Sequence, residues 1–126
     1  MILALAGGVG GAKLATGLAG ILGPDQLAIA VNTADDFVFQ GLSISPDLDT
    51  VAYTLAGLND KEKGWGVAEE SWQFLAALER LGGEAWFKLG DKDLATHVMR
   101  SYWLSKGWSL SEVTASICSA LGITHQ

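Results

Sequence analysis

The groups able to do chemistry are concentrated in Asn32 to Thr50, NTADDFVFQGLSISPDLDT. Two close acid pairs, Asp35 with Asp36 and Asp47 with Asp49, lie among Asn32, Thr33, Ser43, Ser45 and Pro46. Only the short apolar patch Phe37 to Phe39 interrupts them. Carboxylates at such spacing can hold Mg2+, which takes oxygen ligands and keeps waters and substrate phosphates in its shell. One of them could instead accept a proton from an attacking hydroxyl. A single pair would read as a solvated loop supplying N-caps to the next helix. Two pairs, beside a glycine-rich loop, favour a site.

That loop is Gly7-Gly8-Val9-Gly10-Gly11-Ala12-Lys13, which follows the apolar run Ile2 to Ala6. Glycines at a strand-to-helix turn let backbone N–H groups approach a phosphate, and the helix N-terminus adds partial positive charge. Lys13 can add a full charge. Leu14 follows it, where a Walker A loop needs Ser or Thr. The dinucleotide fingerprint also fails, because it wants a glycine at position 13 and an acid where Asn32 stands. The bland alternative is a tight turn needed for packing. A generic phosphate or nucleotide site is the better reading, through Gly8, Gly10, Gly11 and Lys13.

A third stretch, Trp86 to His97 (WFKLGDKDLATH), offers Lys88 and Lys92 to neutralise phosphate or orient a ligand. His97 reads as a hydrogen-bonded structural residue and Asp93 as a helix-start residue. Trp65 lies between glycines in a loop where a planar ligand could stack; the other four tryptophans read as core or interface.

The elements that must position these residues follow from periodicity. Ile2 to Ala6 and Leu27 to Val31 read as buried strands, joined by a helix to about Leu22 that carries Leu14, Leu18, Ile21 and Leu22 on one face. Gly23-Pro24 ends that helix. This is a β-α-β unit with parallel strands, and the acid-rich stretch falls at a strand's carboxyl end, where open α/β sheets bind ligands. Further helices are expected from Asp49 to Ala56, from Ala68 to Leu81 with Trp72, Leu75, Leu78 and Leu81 inward, and from Gly90-Asp91 onward with Leu94, Val98 and Tyr102. Glu84 to Leu89 reads as a third strand. Ser109 and Glu112 form a capping box for a last helix with Leu110, Val113, Ile117 and Leu121 at core spacing. Three strands make a small α/β sheet, and Leu121-Gly122-Ile123 stands where the next strand would begin. The expectation is therefore the front of a larger domain, incomplete at its C-terminal end.

With 126 residues, 49% of them hydrophobic and 17% charged, the chain is one globular unit at most. A net charge of −6 without a basic cluster excludes nucleic acid as a natural partner. No apolar run approaches a membrane span. The lone Cys118 rules out an internal disulfide and suits the cytoplasm; its place on a helical pattern marks it as a core thiol.

Taken together, GGVGGAKLATGL, VNTADDF, GLSISPDLDTVAYTLAG, the Gly64-Trp65-Gly66 triplet and WFKLGDKDLATH closely resemble the 2-phospho-L-lactate transferase family of coenzyme F-420 biosynthesis. The similarity runs in order from Met1 to at least Leu121, and ISPDLDT joined to LGDKDLATH is highly specific. Members more often carry glycine where this chain has Ala34, and they continue well beyond its last residue. The resemblance implies a Rossmann-like three-layer α/β fold with a mostly parallel sheet, of which residues 1–126 are the N-terminal part. It implies Mg2+-assisted transfer of a 2-phospholactyl or enolpyruvyl phosphate group from a guanylated diphosphate donor to the deazaflavin Fo, with release of GMP. On this chain Gly8, Gly10, Gly11 and Lys13 would face the donor nucleotide. Asp47, Asp49, Lys88, Asn32, Thr33 and Trp65 would contact substrate. Asp35 and Asp36 would be catalytic and, with Asp49, would hold the metal. A cytoplasmic homodimer is expected. The rival expectations are a nucleotide-sugar-binding regulator of the same superfamily, which would carry a glycine- and serine-rich segment in place of ISPDLDT, or an inactive, oligomerising fragment.

Overall fold

The computed structural model describes residues 1–126. β1 (Ile2–Ala6) and β2 (Leu27–Val31) pair in parallel from Ile2 opposite Leu27 to Ala6 opposite Val31, with α1 (Gly8–Ala19) as the crossover between them. These are the expected strands. α1 differs in which side it turns inward. Ala12 and Ala15 are buried, whereas Leu14 and Ile21 are exposed. Small residues win because the helix lies close on β1: a Cβ on Gly11 would stand 2.8 Å from Ala6 Cα. Ala6, Ala12, Ala15 and Val51 form one core, with Ile29, Val31 and Leu55 packed on it. The other face of β1 stays open, with Leu3 and Leu5 exposed.

Phe37 to Phe39 is not a loop interruption but β3 (Phe37–Phe39), which pairs antiparallel with β4 (Leu42–Ile44) in a sheet of its own. The two-residue turn Gln40-Gly41 has φ of 49° and 77°. Two positive φ values in succession are the geometry of a type I′ turn, whose twist matches the flanking strands. The hairpin's Phe39 and Ile44 join Leu75 and Leu89 in a second core, flanked by Phe37, Phe74 and Phe87.

α2 (Pro46–Leu55) begins three residues earlier than Asp49, the start expected from periodicity. Pro46 suits the first helical position because its missing N–H would be unpaired there, and Asp47 and Asp49 complement the positive end of the helix. α3 (Gln73–Arg80) is shorter than expected, because Glu69 adopts φ of 54° and breaks any helix before it. Only Leu75 on α3 is fully buried; Trp72 and Leu81 are exposed. Glu84 to Leu89 forms no strand. The Leu89 N–H bonds to Phe87 O at 2.9 Å, a three-residue bend that turns the backbone away from any neighbour while Leu89 drops into the second core.

α4 (Asp91–Ser105) opens where expected, but Val98 and Tyr102 are exposed and its buried face carries His97 and Arg100. α5 (Leu110–Ala120) has the full capping box: Ser109 Oγ accepts from Glu112 N–H, and the Glu112 carboxylate accepts from Ser109 N–H. Val113 is its fully buried residue. After α5 the chain runs back to β2, where Ile29 N–H donates to Gln126 O at 2.7 Å and His125 Nε2 lies 2.9 Å from Leu22 O. No helix is long and apolar enough to cross a membrane.

Candidate functional site

Asp47 and Asp49 both fall in the first turn of α2, and that placement divides them. Residues two apart on a helix point to nearly opposite sides, so the pair cannot act as one. Asp47 faces the glycine-rich turn and Asp49 faces inward, toward α4. Each belongs to a separate polar cluster.

The first cluster lies at the carboxyl ends of β1 and β2. Asn32 Nδ2 donates to Asp35 Oδ2 and to Asp47 Oδ2, both at 3.0 Å, and Asn32 Oδ1 accepts from Ala34 N–H at 3.2 Å. An amide with two donors and one acceptor thus fixes two carboxylates and its own turn. Asp47 approaches the glycine turn closely: a Cβ on Gly8 would stand 3.6 Å from its Oδ1, and one on Gly7 3.7 Å from its Oδ2. No side chain caps the N-terminus of α1, so its first N–H groups face this space with the positive end of the helix behind them. Asp36 Oδ2 accepts from Ser45 Oγ–H at 2.7 Å, while its Oδ1 is buried without a partner. Lys13 and Thr33 are exposed; Thr33 borders a different cavity of about 650 Å³, between β2, α2 and α5. Cys118 also borders that cavity and is half-buried, with its thiol pushed up by burial.

The second cluster forms the floor of a cavity of about 200 Å³ beside α2 and α4, which Asp49, Tyr53, Trp65, Lys88, Asp93 and His97 border among others. Here Asp49, Lys88 and Trp65, far apart in sequence, are brought together. Asp93 Oδ1 accepts from the Tyr53 hydroxyl at 2.5 Å, and that hydroxyl is also 2.7 Å from Thr96 Oγ1. Asp93 Oδ2 lies 2.9 Å from His97 Nε2, and His97 Nδ1 lies 3.2 Å from Arg100 Nη1. Arginine only donates, so His97 Nδ1 accepts and Nε2–H donates to Asp93. His97 is thus the hydrogen-bonded structural residue expected of it, whereas Asp93 does more than start a helix. Arg100 completes the cluster: Nη2 pairs with Asp49 Oδ1, and Nη1 donates to Ser43 O at 3.1 Å. Asp49 Oδ2, 3.6 Å from His97 Nδ1, is left without a hydrogen-bond partner.

Burial is the largest influence on Asp49 and outweighs the Arg100 guanidinium beside it, so its carboxyl is pushed up to about 6. Burial likewise raises the Tyr53 phenol, with Asp93 adding to the effect. A folded pKa above the unfolded value of about 3.9 means the native state holds the proton longer. That stabilisation is fully present below about pH 4 and is lost as pH rises through about 6. A carboxyl-carbon NMR titration should therefore place the Asp49 midpoint near 6. Stability to urea should fall across the same window, and that slope should be missing in Asp49→Asn.

The ends of α3 and α4 are capped reciprocally across the cavity. Asp91, which opens α4, accepts from Ser71 Oγ–H at 2.6 Å, Gln73 N–H and Phe74 N–H at the start of α3. Glu70, just before α3, accepts from Lys92 N–H at 2.8 Å and Asp93 N–H at the start of α4. The Ser71 hydroxyl, followed by the Phe74 N–H, holds the Asp91 carboxyl below its ordinary value. These exchanges tie the start of α3 to the start of α4 beside the cavity that Lys88 and Trp72 border. The loop over the cavity is closed by an Asn59–Val67 bridge and carries Lys63 and Trp65, while Trp72 stands just before α3. Its Gly64 lies against Val9 of the glycine turn, where an added Cβ would meet Val9 Cγ1 at 3.0 Å. The roof of the second cluster therefore touches the rim of the first.

Asp35, Asp36 and Asp49 are not gathered as one ligand set; the acids and histidine that converge within 4.8 Å are Asp49, Asp93 and His97. With Arg100 already paired to Asp49 and an imidazole in the group, that trio suits Mg2+ poorly. Asp35 and Asp47, both held by Asn32 Nδ2, offer oxygen ligands alone, the kind Mg2+ takes. Tyr53 and Arg100 did not stand out in the sequence. Arg100 is on the helical face that also carries Asp93 and His97, at spacings of four and three residues, and that periodicity was the signal for it.

A parallel β-α-β start, a glycine turn under an uncapped helix end and acids at the strand ends define part of an α/β protein of Rossmann-like type. The family model described as 2-phospho-L-lactate transferase CofD matches residues 2–126, and the chain belongs to that family. It is 50% identical over 119 residues to a phosphoenolpyruvate transferase of Kitasatospora aureofaciens, covering 93% of this chain and 37% of that protein. It is 44% identical over 119 residues to one of Streptomyces griseus, covering 94% of this chain and 37% of that protein. To one of Mycobacterium tuberculosis H37Rv it is 41% identical over 131 residues, covering 93% of this chain and 40% of that protein. The chain thus spans about two-fifths of the length of these relatives.

Proposed function

We propose that this chain is the N-terminal part of a cytoplasmic transferase that moves a phosphoenolpyruvyl or 2-phospholactyl group from a guanylated diphosphate donor to the deazaflavin Fo, releasing GMP. The observation that carries this reading is the division of Asp47 and Asp49 between two adjoining clusters. A group transfer needs donor and acceptor side by side. The glycine turn, with the α1 N-terminus behind it, suits the donor diphosphate, and Lys13 adds charge at its edge. Asp49, Lys88 and Trp65 suit a polyhydroxylated planar acceptor in the cavity. The names of the relatives favour phosphoenolpyruvyl as the transferred group.

In the transfer, the terminal ribityl oxygen of Fo forms a bond to the phosphorus bearing the acid group, and the bond from that phosphorus to the GMP oxygen breaks. The hydroxyl proton passes to a carboxylate at the junction of the clusters, for which Asp35 and Asp36 are the candidates. Asp35 and Asp47 would hold Mg2+, which when bound neutralises the charge of the donor diphosphate. Asn32 keeps Asp35 and Asp47 turned toward that space.

Fluorescence titration of Fo with the purified chain, with and without Mg2+ and GDP, tests this reading. Saturable Fo binding is expected, weakened about 10- to 100-fold in Asp49→Asn by loss of a charged hydrogen-bonding group. A chain folded by circular dichroism that binds neither Fo nor GDP refutes it.

A further inference from the structure

Lys63, Trp65 and Trp72 occupy an unusual place: all three border the 200 Å³ cavity and also a second cavity of about 430 Å³, which Lys88, Leu75 and Glu79 help to line. Lys88 borders both as well, and these four residues are the partition between the two. The Lys63 ammonium lies 5.3 Å from the Trp65 ring centroid and 5.4 Å from that of Trp72, so one cation serves both indoles. Such contacts at exposed sites are weak. Both indoles are partly exposed, by 42% and 37%.

The backbone beneath this partition is fixed. Asp60 Oδ1 accepts from Glu62 N–H and Lys63 N–H, and Gly64 N–H bonds to Asp60 O at 2.8 Å. Gly64 and Gly66, with φ of 78° and 72°, present Trp65 in a conformation that side-chain-bearing neighbours would resist. Trp72 is fixed by the caps that Asp91 supplies to the flanking residues. The long Lys63 side chain, whose ammonium lies over both indoles, is the part that can leave them. The first cavity, at about 200 Å³, falls below the range of about 300–1,000 Å³ usual for small-molecule sites, and the second adjoins it across Lys63, Trp65, Trp72 and Lys88.

We propose that Trp65 and Trp72 form a clamp for an extended planar heteroaromatic ring, and that Lys63 holds the place of that ring in the free protein and swings aside when it binds. The rest of the ligand then points toward Asp49 and Lys88. This rests on the acceptor reading above and extends it to the ring's own site, to Trp72 and to Lys63.

The test is Fo binding by the whole chain and by Trp65→Leu, Trp72→Leu and Lys63→Met, with Trp65→Phe and Trp72→Phe as ring-retaining controls. Each leucine variant should weaken binding about tenfold and each phenylalanine variant much less, because the aromatic face is what stacks. Lys63→Met should bind two- to fivefold more tightly, since no ammonium need be displaced. In the free chain the Lys63 Hε protons should show upfield ring-current shifts that disappear at saturation. Fo binding that needs Asp49 but is unchanged in both leucine variants overturns the clamp and leaves the acceptor reading standing. Tenfold weaker binding in Lys63→Met makes Lys63 a ligand contact and overturns its place-holding role. A folded wild-type chain that binds no Fo overturns both.

Discussion

Arg100→Ala should remove about 3–5 kcal/mol of stability at pH 8, the usual cost of stripping one partner from a buried ion pair. Arg100 is 2% exposed and joins three partners at once: the Asp49 carboxylate, the Ser43 carbonyl at the end of the hairpin, and His97 Nδ1. Its loss orphans a buried carboxylate and a half-buried carbonyl and removes one tie of α4 to each of β4 and α2, leaving the Ser43–Ser101 bond and the Tyr53 hydroxyl bonds in place. A domain of this size has about 5–15 kcal/mol in total, so the variant is brought close to unfolding. The loss should also depend on pH in a defined direction. Asp49 already holds its proton up to about 6 with Arg100 beside it. Without the guanidinium it holds it higher still, so at pH 5 the carboxyl is neutral in the variant and the penalty shrinks. Urea denaturation at pH 5 and pH 8 measures both parts. A loss below 1 kcal/mol, or one equal at the two values, removes Arg100 from the centre of this cluster.

Why the sequence shows Asp49 and hides Arg100 is a matter of what each signal depends on. The glycine turn, the β1-α1-β2 crossover and the capping box of α5 are local, and each is set by residues within one turn or strand of one another. Asp49 stands out because acids beside acids are conspicuous. Arg100 and Tyr53 look ordinary in their helices, and acquire meaning only when α4 packs on the β4–α2 junction 51 residues away along the chain. The β3–β4 hairpin was legible in principle: Phe-Val-Phe and Leu-Ser-Ile flank a two-residue turn ending in glycine. It passes for a loop because Gln40 is an uncommon first residue for positive φ. Glu84 to Leu89 fails the other way. Its apolar residues fit a strand, but strand pairing needs an open neighbour, and its side chains are taken instead by the core under the hairpin. The split of Asp47 from Asp49 was implicit in the helix that begins at Pro46; with the helix begun at Asp49, the two acids read as a single set.

Gly11→Ala should cost about 1–3 kcal/mol, because the missing Cβ of this glycine is what lets α1 lie on β1. A Cβ there would stand 2.8 Å from Ala6 Cα, 2.9 Å from its Cβ and 3.0 Å from its carbonyl carbon. Two of those atoms are backbone, and Ala6 cannot retreat: its carbonyl accepts from Asn32 N–H at 2.9 Å and it is paired in register with Val31. The helix must lift instead, opening the core of Ala6, Ala12, Ala15 and Val51. Gly10 is the contrast, since nothing lies within 4 Å of a Cβ built on it. Gly10→Ala fits, gains up to about 1 kcal/mol in helix propensity, and narrows the space above the α1 N-terminus. The two variants therefore separate the roles that a run of glycines superimposes. Gly11→Ala should lower the urea midpoint, while Gly10→Ala leaves it level or higher and weakens GDP binding in an isothermal titration. If Gly10→Ala binds GDP as the parent chain does, the turn is a packing device throughout and the donor nucleotide belongs elsewhere; if Gly11→Ala keeps the parent midpoint, α1 has freedom to shift on β1 that the contacts at Ala6 deny it.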